Sequence, residues 1–205
     1  MSYTFFPPAA GFCLIFLALA APAAVWSQPP GRGRQAALIE RGLKLMDEGR
    51  YREAANLLEE AWENDPADAS LAENLAICLL DGRKDEAGAF RLMREAILLG
   101  GKASVNVDHI HEKAMLSGGV VSDTCKGRLS FQKSRLSFVS SQRDHSFSLA
   151  FNEVKEFRRN RMLGSGQGGF RIETVQGRKL NLCPSDWSDR TTELIFRLWN
   201  LVTKE

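Results

Sequence analysis

The hydrophobic period of this chain changes once, at Gly100-Gly101. Before that pair apolar residues recur at helical spacing, and after it they alternate with polar ones. Helices first and strands second, without interleaving, confine the chain to an α+β architecture whose two kinds of element are segregated along the sequence. Charge changes with the period: residues 32–102 carry 11 basic and 14 acidic side chains, residues 103–205 carry 16 and 11. This asymmetry predicts two domains, 35–102 and 103–205.

The helical half repeats itself. "ALIERGLKLMDEGRYREAANLLEEAWENDPAD" holds two amphipathic patterns broken at Glu48-Gly49-Arg50. Gly42 supplies a small residue for close helix crossing, Gly49 and Tyr51 mark the turn, Ala54 and Ala61 stand seven apart, and Pro66 ends the second helix. A second copy starts at Ala69. Leu75, Ala76 and Leu79 fill its first helix, "DGRKDE" is its turn, and Ala89 and Ala96 repeat the seven-residue pair after one extra residue. Gly100-Gly101 replaces the terminal proline and suits a helix stop. These residues resemble the tetratricopeptide family, with its period of about 34 residues; Arg41 departs from the pattern at a position that is usually apolar. The resemblance implies two helical hairpins over 35–102 and a protein or peptide partner. On the face such proteins use for ligands stand Ile39, Leu43 and Met46, then Glu73, Ile77 and Leu80. Repeat units bury their faces on one another and about three are needed for a stable stack. So much apolar surface is therefore covered either by the C-terminal half or a further helix, or by a partner peptide or helix.

In the second half, "SVNVDHIHEK", "CKGRLSFQ", "SRLSFVSS", "HSFSLAF", "EVKEFRRNR", "GFRIETV" and "RKLNLCP" alternate, with turn residues between them. Short strands at this spacing predict a small antiparallel barrel or sandwich. The last segment, "SDRTTELIFRLWNLVTKE", has a capping candidate at Ser188 or Asp189 and places Leu194, Ile195, Leu198, Leu201 and Val202 on one helical stripe. The helix is expected to close the open side of the strands. A meander followed by one such helix resembles the pleckstrin-homology-like superfold and its GRAM-type relatives. That resemblance places an anion-binding role on Lys126, Arg128, Lys133 and Arg135 around the first hairpin. Lys155, Arg158, Arg159 and Arg161 add a later basic strand. An anionic membrane or envelope surface is the alternative partner they imply, and a solvated charged face is the plain reading. The modest net charge of +2 argues against nucleic acid.

The segment "GFCLIFLALAAPAA" (11–24) is short for a membrane span and suits the core of a signal peptide; the first charged residue is Arg32. This predicts a signal over 1–27, a linker over 28–34, and export to a periplasmic or secreted location. The lack of Lys or Arg before the apolar core leaves an uncleaved N-terminal anchor as the alternative. In an oxidising compartment Cys125 and Cys183, near strand ends, are candidates for a disulfide, while Cys78 on an apolar helix face reads as a buried free thiol.

Little in the sequence points to catalysis. "GSGQGG" (164–169) lies between two strand patterns, with neither a Walker lysine nor a following helix, so it reads as a hairpin loop. His109 and His111 would share one face of a strand, but zinc wants at least a third ligand and only His145 or Asp123 suggests itself. No metal, no cofactor and no enzyme activity are therefore expected.

Overall fold

The computed structural model describes residues 32–111, 123–160 and 168–204. The expected signal segment, the beginning of the expected linker and Arg161 lie outside the described residues. Helices α1 (Arg32–Asp47) and α2 (Tyr51–Asn64) form the first hairpin, and α3 (Ala69–Cys78) and α4 (Glu86–Leu98) the second. The small residue in α1 sets how closely the first pair approaches. A Cβ on Gly42 would stand 2.6 Å from Cδ2 of the fully buried Leu58. Asp68 caps α3 by accepting from the amides of Ser70 and Leu71, and Asp85 caps α4 through the amide of Gly88. Gly100, at φ +84, stops α4 as expected.

The extra residue of the second copy has a physical location. Between α3 and α4 the chain makes a π turn over Leu79–Arg83, ended by Lys84 in the left-handed region at φ 57. A π turn holds one more residue per hydrogen-bonded ring than an α turn. The insertion is absorbed there, and the alanines of α4 keep their packing positions.

Seven strands follow: β1 (Ala103–Ile110), β2 (Thr124–Phe131), β3 (Arg135–Ser140), β4 (Phe147–Ala150), β5 (Val154–Arg159), β6 (Phe170–Thr174) and β7 (Lys179–Pro184). They form one antiparallel sheet in the order β4-β3-β2-β1-β7-β6-β5. β1 pairs along its whole length with β2, and its last four residues also pair with β7. The sheet has two edges, β4 and β5, so the expected barrel is corrected to an open sheet. Its ends do not pair because β4 is only four residues long and β5 opens on a register shift between Val154 and Glu156.

Helix α5 (Asp189–Thr203) lies where pairing is missing. Ser188 caps it by accepting from the Thr191 amide, and the Thr192 hydroxyl donates to the Gly168 carbonyl. Trp199 stacks on Phe157 of β5 with ring centroids 4.8 Å apart, and stands edge-on to Phe151, where β4 passes into β5. Leu194, Ile195, Leu198 and Val202 are buried, as their stripe predicts.

The two halves share one continuous core, running from Ala54 and Leu58 through Leu75, Ile77 and Met93 to Val105, Leu129, Phe138, Phe170 and Leu198. A buried polar relay crosses the junction. The Ser104 hydroxyl of β1 donates to the Glu73 carboxylate of α3 and lies 2.7 Å from the Ser130 hydroxyl, while Lys102 stands 3.8 Å from Glu73. The Arg197 guanidinium of α5 lies 3.8 Å over the ring of Phe90 in α4.

Candidate functional site

The packing of α3 and α4 on β1 decides which helical surface stays open. Met46, Glu73, Ile77 and Leu80 are buried within the chain at 8%, 7%, 1% and 3% exposure, so the groove expected on that face is corrected. Met46 lies within the helical core, and Glu73 turns to Ser104 and Lys102. Of the six expected partner residues, Ile39 is half-buried and Leu43 exposed.

A different concavity remains between α2, α3 and α4. Leu75 and Leu79 form its floor, Trp62 and Leu92 its walls, and its volume is about 340 Å³. Glu59, Glu63, Glu95 and Arg91 stand at the rim. Glu59 is held by both terminal guanidinium nitrogens of Arg83 at 2.6 Å. Among the described residues Glu63 and Glu95 make no ion pair, so the rim keeps negative charge beside an indole face. A half-buried tryptophan over leucines with unpaired carboxylates around it is suited to an apolar side chain flanked by cations.

A second, larger cleft of about 570 Å³ opens where the π turn meets the sheet, between Tyr51, Asp81 and Lys84 on one side and Lys126, Arg128 and Asp186 on the other. Asn106 donates to Asp81 at 2.7 Å; burial pushes the Asp81 carboxyl above its ordinary range, and that hydrogen bond partly offsets the rise. Two of the expected anion-binding residues thus share a cleft with two carboxylates.

The other basic positions divide. Lys155 pairs with Glu173 at 2.7 Å, Arg158 with Glu156 at 2.8 Å, and Arg159 with Asp189 and Glu193 at 3.1 and 2.8 Å. The basic strand β5 is therefore neutralised by its own neighbours. Lys133 and Arg135 are exposed at the β2–β3 hairpin. The glycine-rich connection joins antiparallel β5 and β6, closed by the Asn160 amide on the Gly169 carbonyl at 2.8 Å. Residues 161–167 lie outside the described residues, but the elements on either side are both strands, not the strand and helix between which a phosphate is cradled.

The disulfide expectation is corrected. Cys78, Cys125 and Cys183 are all free thiols. Cys125 lies opposite His109 on one side of β1, and Cys183 opposite Asp108 on the other side. Two inter-strand spacings, about 10 Å, separate them, and consecutive β1 partners point to opposite faces. A bridge needs Cα atoms within about 7 Å. Burial pushes the Cys78 and Cys183 thiols up to about 12.

The three histidines converge. His109 on β1 and His111 just past its end lie side by side, and His145, in the short turn Arg143–His145 after β3, folds back over them. Ring centroids are 5.2 Å apart for His109 and His111, 4.3 Å for His111 and His145, and 6.3 Å for His109 and His145. Cys125 reaches the same point from β2, its Sγ 3.7 Å from Nδ1 of His109. Burial, with His111, His145 and Arg178 nearby, pushes His109 down to about 4. Cys125 was missed as a neighbour because its pairing with His109 depends on the length of the β1–β2 connection. The Trp62 concavity was missed because it arises only when two hairpins pack.

A family model for the tetratricopeptide repeat matches residues 45–96, from the end of α1 to α4. Among solved structures the chain is similar to the crystal structure of the C-terminal domain of an unknown protein from Leishmania infantum, with 16% identity and a TM-score of 0.37 over 47% of this chain and 81% of that one. It is also similar to a structure of Vav1 inhibited by an allosteric inhibitor, at 9% identity and a TM-score of 0.34, over 86% of this chain and 65% of that one. Scores this low carry no inference about either half. Among curated proteins none matches.

Proposed function

We propose that this protein is an exported, non-enzymatic adaptor that holds a partner segment in the Trp62 concavity between α2, α3 and α4. The observation that carries the reading is the tetratricopeptide match over 45–96, which spans every residue of that concavity. Repeats of this kind usually bind protein partners. The occupant that fits is a helical or extended segment with a large apolar side chain flanked by lysine or arginine, because Glu63 and Glu95 stand unpaired beside Trp62 and Leu92. A partner co-isolated with the native chain is expected to be lost from a Glu63→Lys/Glu95→Lys variant that folds normally by circular dichroism. Undiminished recovery would remove the concavity from the account.

The sheet and α5 supply the second half of the proposal, a pleckstrin-homology-like unit. The strand order, the central β1 and the C-terminal helix at the unpaired edges support this assignment. Its alternative role is attachment to an anionic surface through Lys126, Arg128, Lys133 and Arg135, the basic residues not neutralised on β5. Salt-sensitive binding to anionic vesicles that disappears in a Lys133→Ala/Arg135→Ala variant would favour this role, and no binding at low salt would eliminate it. Export rests on residues 11–24; among the described residues no helix is long and apolar enough to cross a membrane. Sequencing the N-terminus of the native protein distinguishes cleavage after the apolar core from a retained anchor.

A further inference from the structure

We propose that His109, His111, His145 and Cys125 form a four-ligand site for a transition-metal ion of the zinc type, closing the open end of the β1–β2–β3 layer. Donor identity comes first. Imidazole and thiolate are the donors that zinc prefers, and three imidazoles with one thiolate complete a tetrahedron with no position left for substrate. Such a site is structural.

Geometry comes second. Ligand atoms of His109, His111 and Cys125 all lie within 4.8 Å of one another. Zinc–nitrogen and zinc–sulfur bonds of ordinary length at a tetrahedral angle put N and S about 3.5 Å apart. The Nδ1 of His109 and Sγ of Cys125 stand at 3.7 Å. His145 adds its ring 4.3 Å from that of His111.

The unsatisfied atoms come third, and they point to the same place. Nε2 of His111 and Nδ1 of His145 are buried with no hydrogen-bond partner. Leaving a buried polar atom unpaired is unfavourable, and two within one cluster are twice so. His111 shows why its free atom is a lone pair. Its Nδ1 is 2.8 Å from Oδ1 of Asp123, a carboxylate that can only accept, so Nδ1 carries the proton and Nε2 is left as a ligand. A carboxylate behind a ligating imidazole is the outer-shell arrangement that orients metal-binding histidines. Asp123 is thus a positioning residue.

The backbone supplies rigidity. His109 and Cys125 are cross-strand partners, and the amide of His111 donates to the Asp123 carbonyl at 3.1 Å, so four of the five residues are fixed by backbone pairing before any ion binds. His145 comes from a separate segment and lies outside the set of three whose ligand atoms already converge, its ring 6.3 Å from that of His109, so it is the ligand that has to turn inward, and an ion would tie the β3–β4 turn to the end of β1.

The test uses the purified full chain, stripped with a chelator and titrated with Co²⁺ and then Zn²⁺. The expected result is one ion per chain, intense visible bands of tetrahedral cobalt, a thiolate-to-cobalt charge-transfer band, and displacement of cobalt by zinc. Cys125→Ser is expected to lose the charge-transfer band while retaining weaker binding. His111→Gln is expected to weaken zinc affinity at least tenfold, and Asp123→Asn by roughly ten- to a hundredfold. Far-ultraviolet circular dichroism of each variant separates lost ligation from lost folding, and His145→Gln, in a turn outside the sheet, gives a second variant that is expected to fold and to bind zinc more weakly. Absence of cobalt bands in the wild-type chain, or a charge-transfer band that survives in folded Cys125→Ser, would overturn the site.

Discussion

At the scale of single residues, tight approaches make the sharpest predictions. A Cβ on Gly82 would stand 2.6 Å from the backbone nitrogen of Arg52, where no flexible side chain can give way. Gly82→Ala is expected to lower stability by about 1–3 kcal/mol, read from the denaturant midpoint, because the π turn must lift from the start of α2. Gly42→Ala meets Cδ2 and Cγ of Leu58, a side chain and not backbone, and should cost less, although Leu58 is fully buried. The thiols offer a second check. Cys78 and Cys183 are buried and pushed up to about 12, so at neutral pH they are overwhelmingly protonated and shielded. Alkylation of the native protein should leave both unmodified, whereas denaturation without reductant should expose both as free thiols. A Cys125–Cys183 peptide surviving those conditions would contradict the strand register.

At the scale of elements, α5 and the repeat insertion carry the argument. Trp199 holds α5 to β5 through Phe157 and to the turn between β4 and β5 through Phe151. Trp199→Ala is expected to cost about 3 kcal/mol, measured by chemical denaturation, since the aromatic cluster loses the ring that joins Phe151 to Phe157. Most elements were legible in the sequence: all seven alternating segments became strands, Ser188 became the α5 cap, and Gly100 stopped α4. The insertion in the second copy was visible as a one-residue offset of Ala89 and Ala96, but its conversion into a π turn depends on the packing of Gly82 on α2. Closure was not legible either. Alternation reports which face of a strand is buried, whereas pairing of β4 with β5 depends on their lengths and on the shift at Val154, which alternation does not encode.

At the scale of the whole molecule, the shared core explains why the expected binding face failed. Ile77 and Leu80 were correctly read as apolar and in need of cover, and the cover is the chain itself, in the core that its two halves share. Periodicity alone cannot distinguish these outcomes, because a covered stripe and a ligand groove share the same spacing. Residues distant in sequence were the least legible: His145 and Cys125 meet His109 only after three strands pair. One core across both halves predicts one unfolding transition, with helical circular dichroism and the fluorescence of Trp187 and Trp199 superimposing on a single denaturant curve. Separate transitions would mean that the Glu73–Ser104 junction does not couple the halves.

The adaptor reading is tested most directly by placing a photo-crosslinking amino acid at Trp62, and separately at Val139 on the exposed sheet surface, in the native cell. The account predicts one discrete protein adduct from position 62, lost when Glu63 and Glu95 are changed to lysine, and none from position 139. No adduct at 62, or the same adduct from both positions, would contradict it.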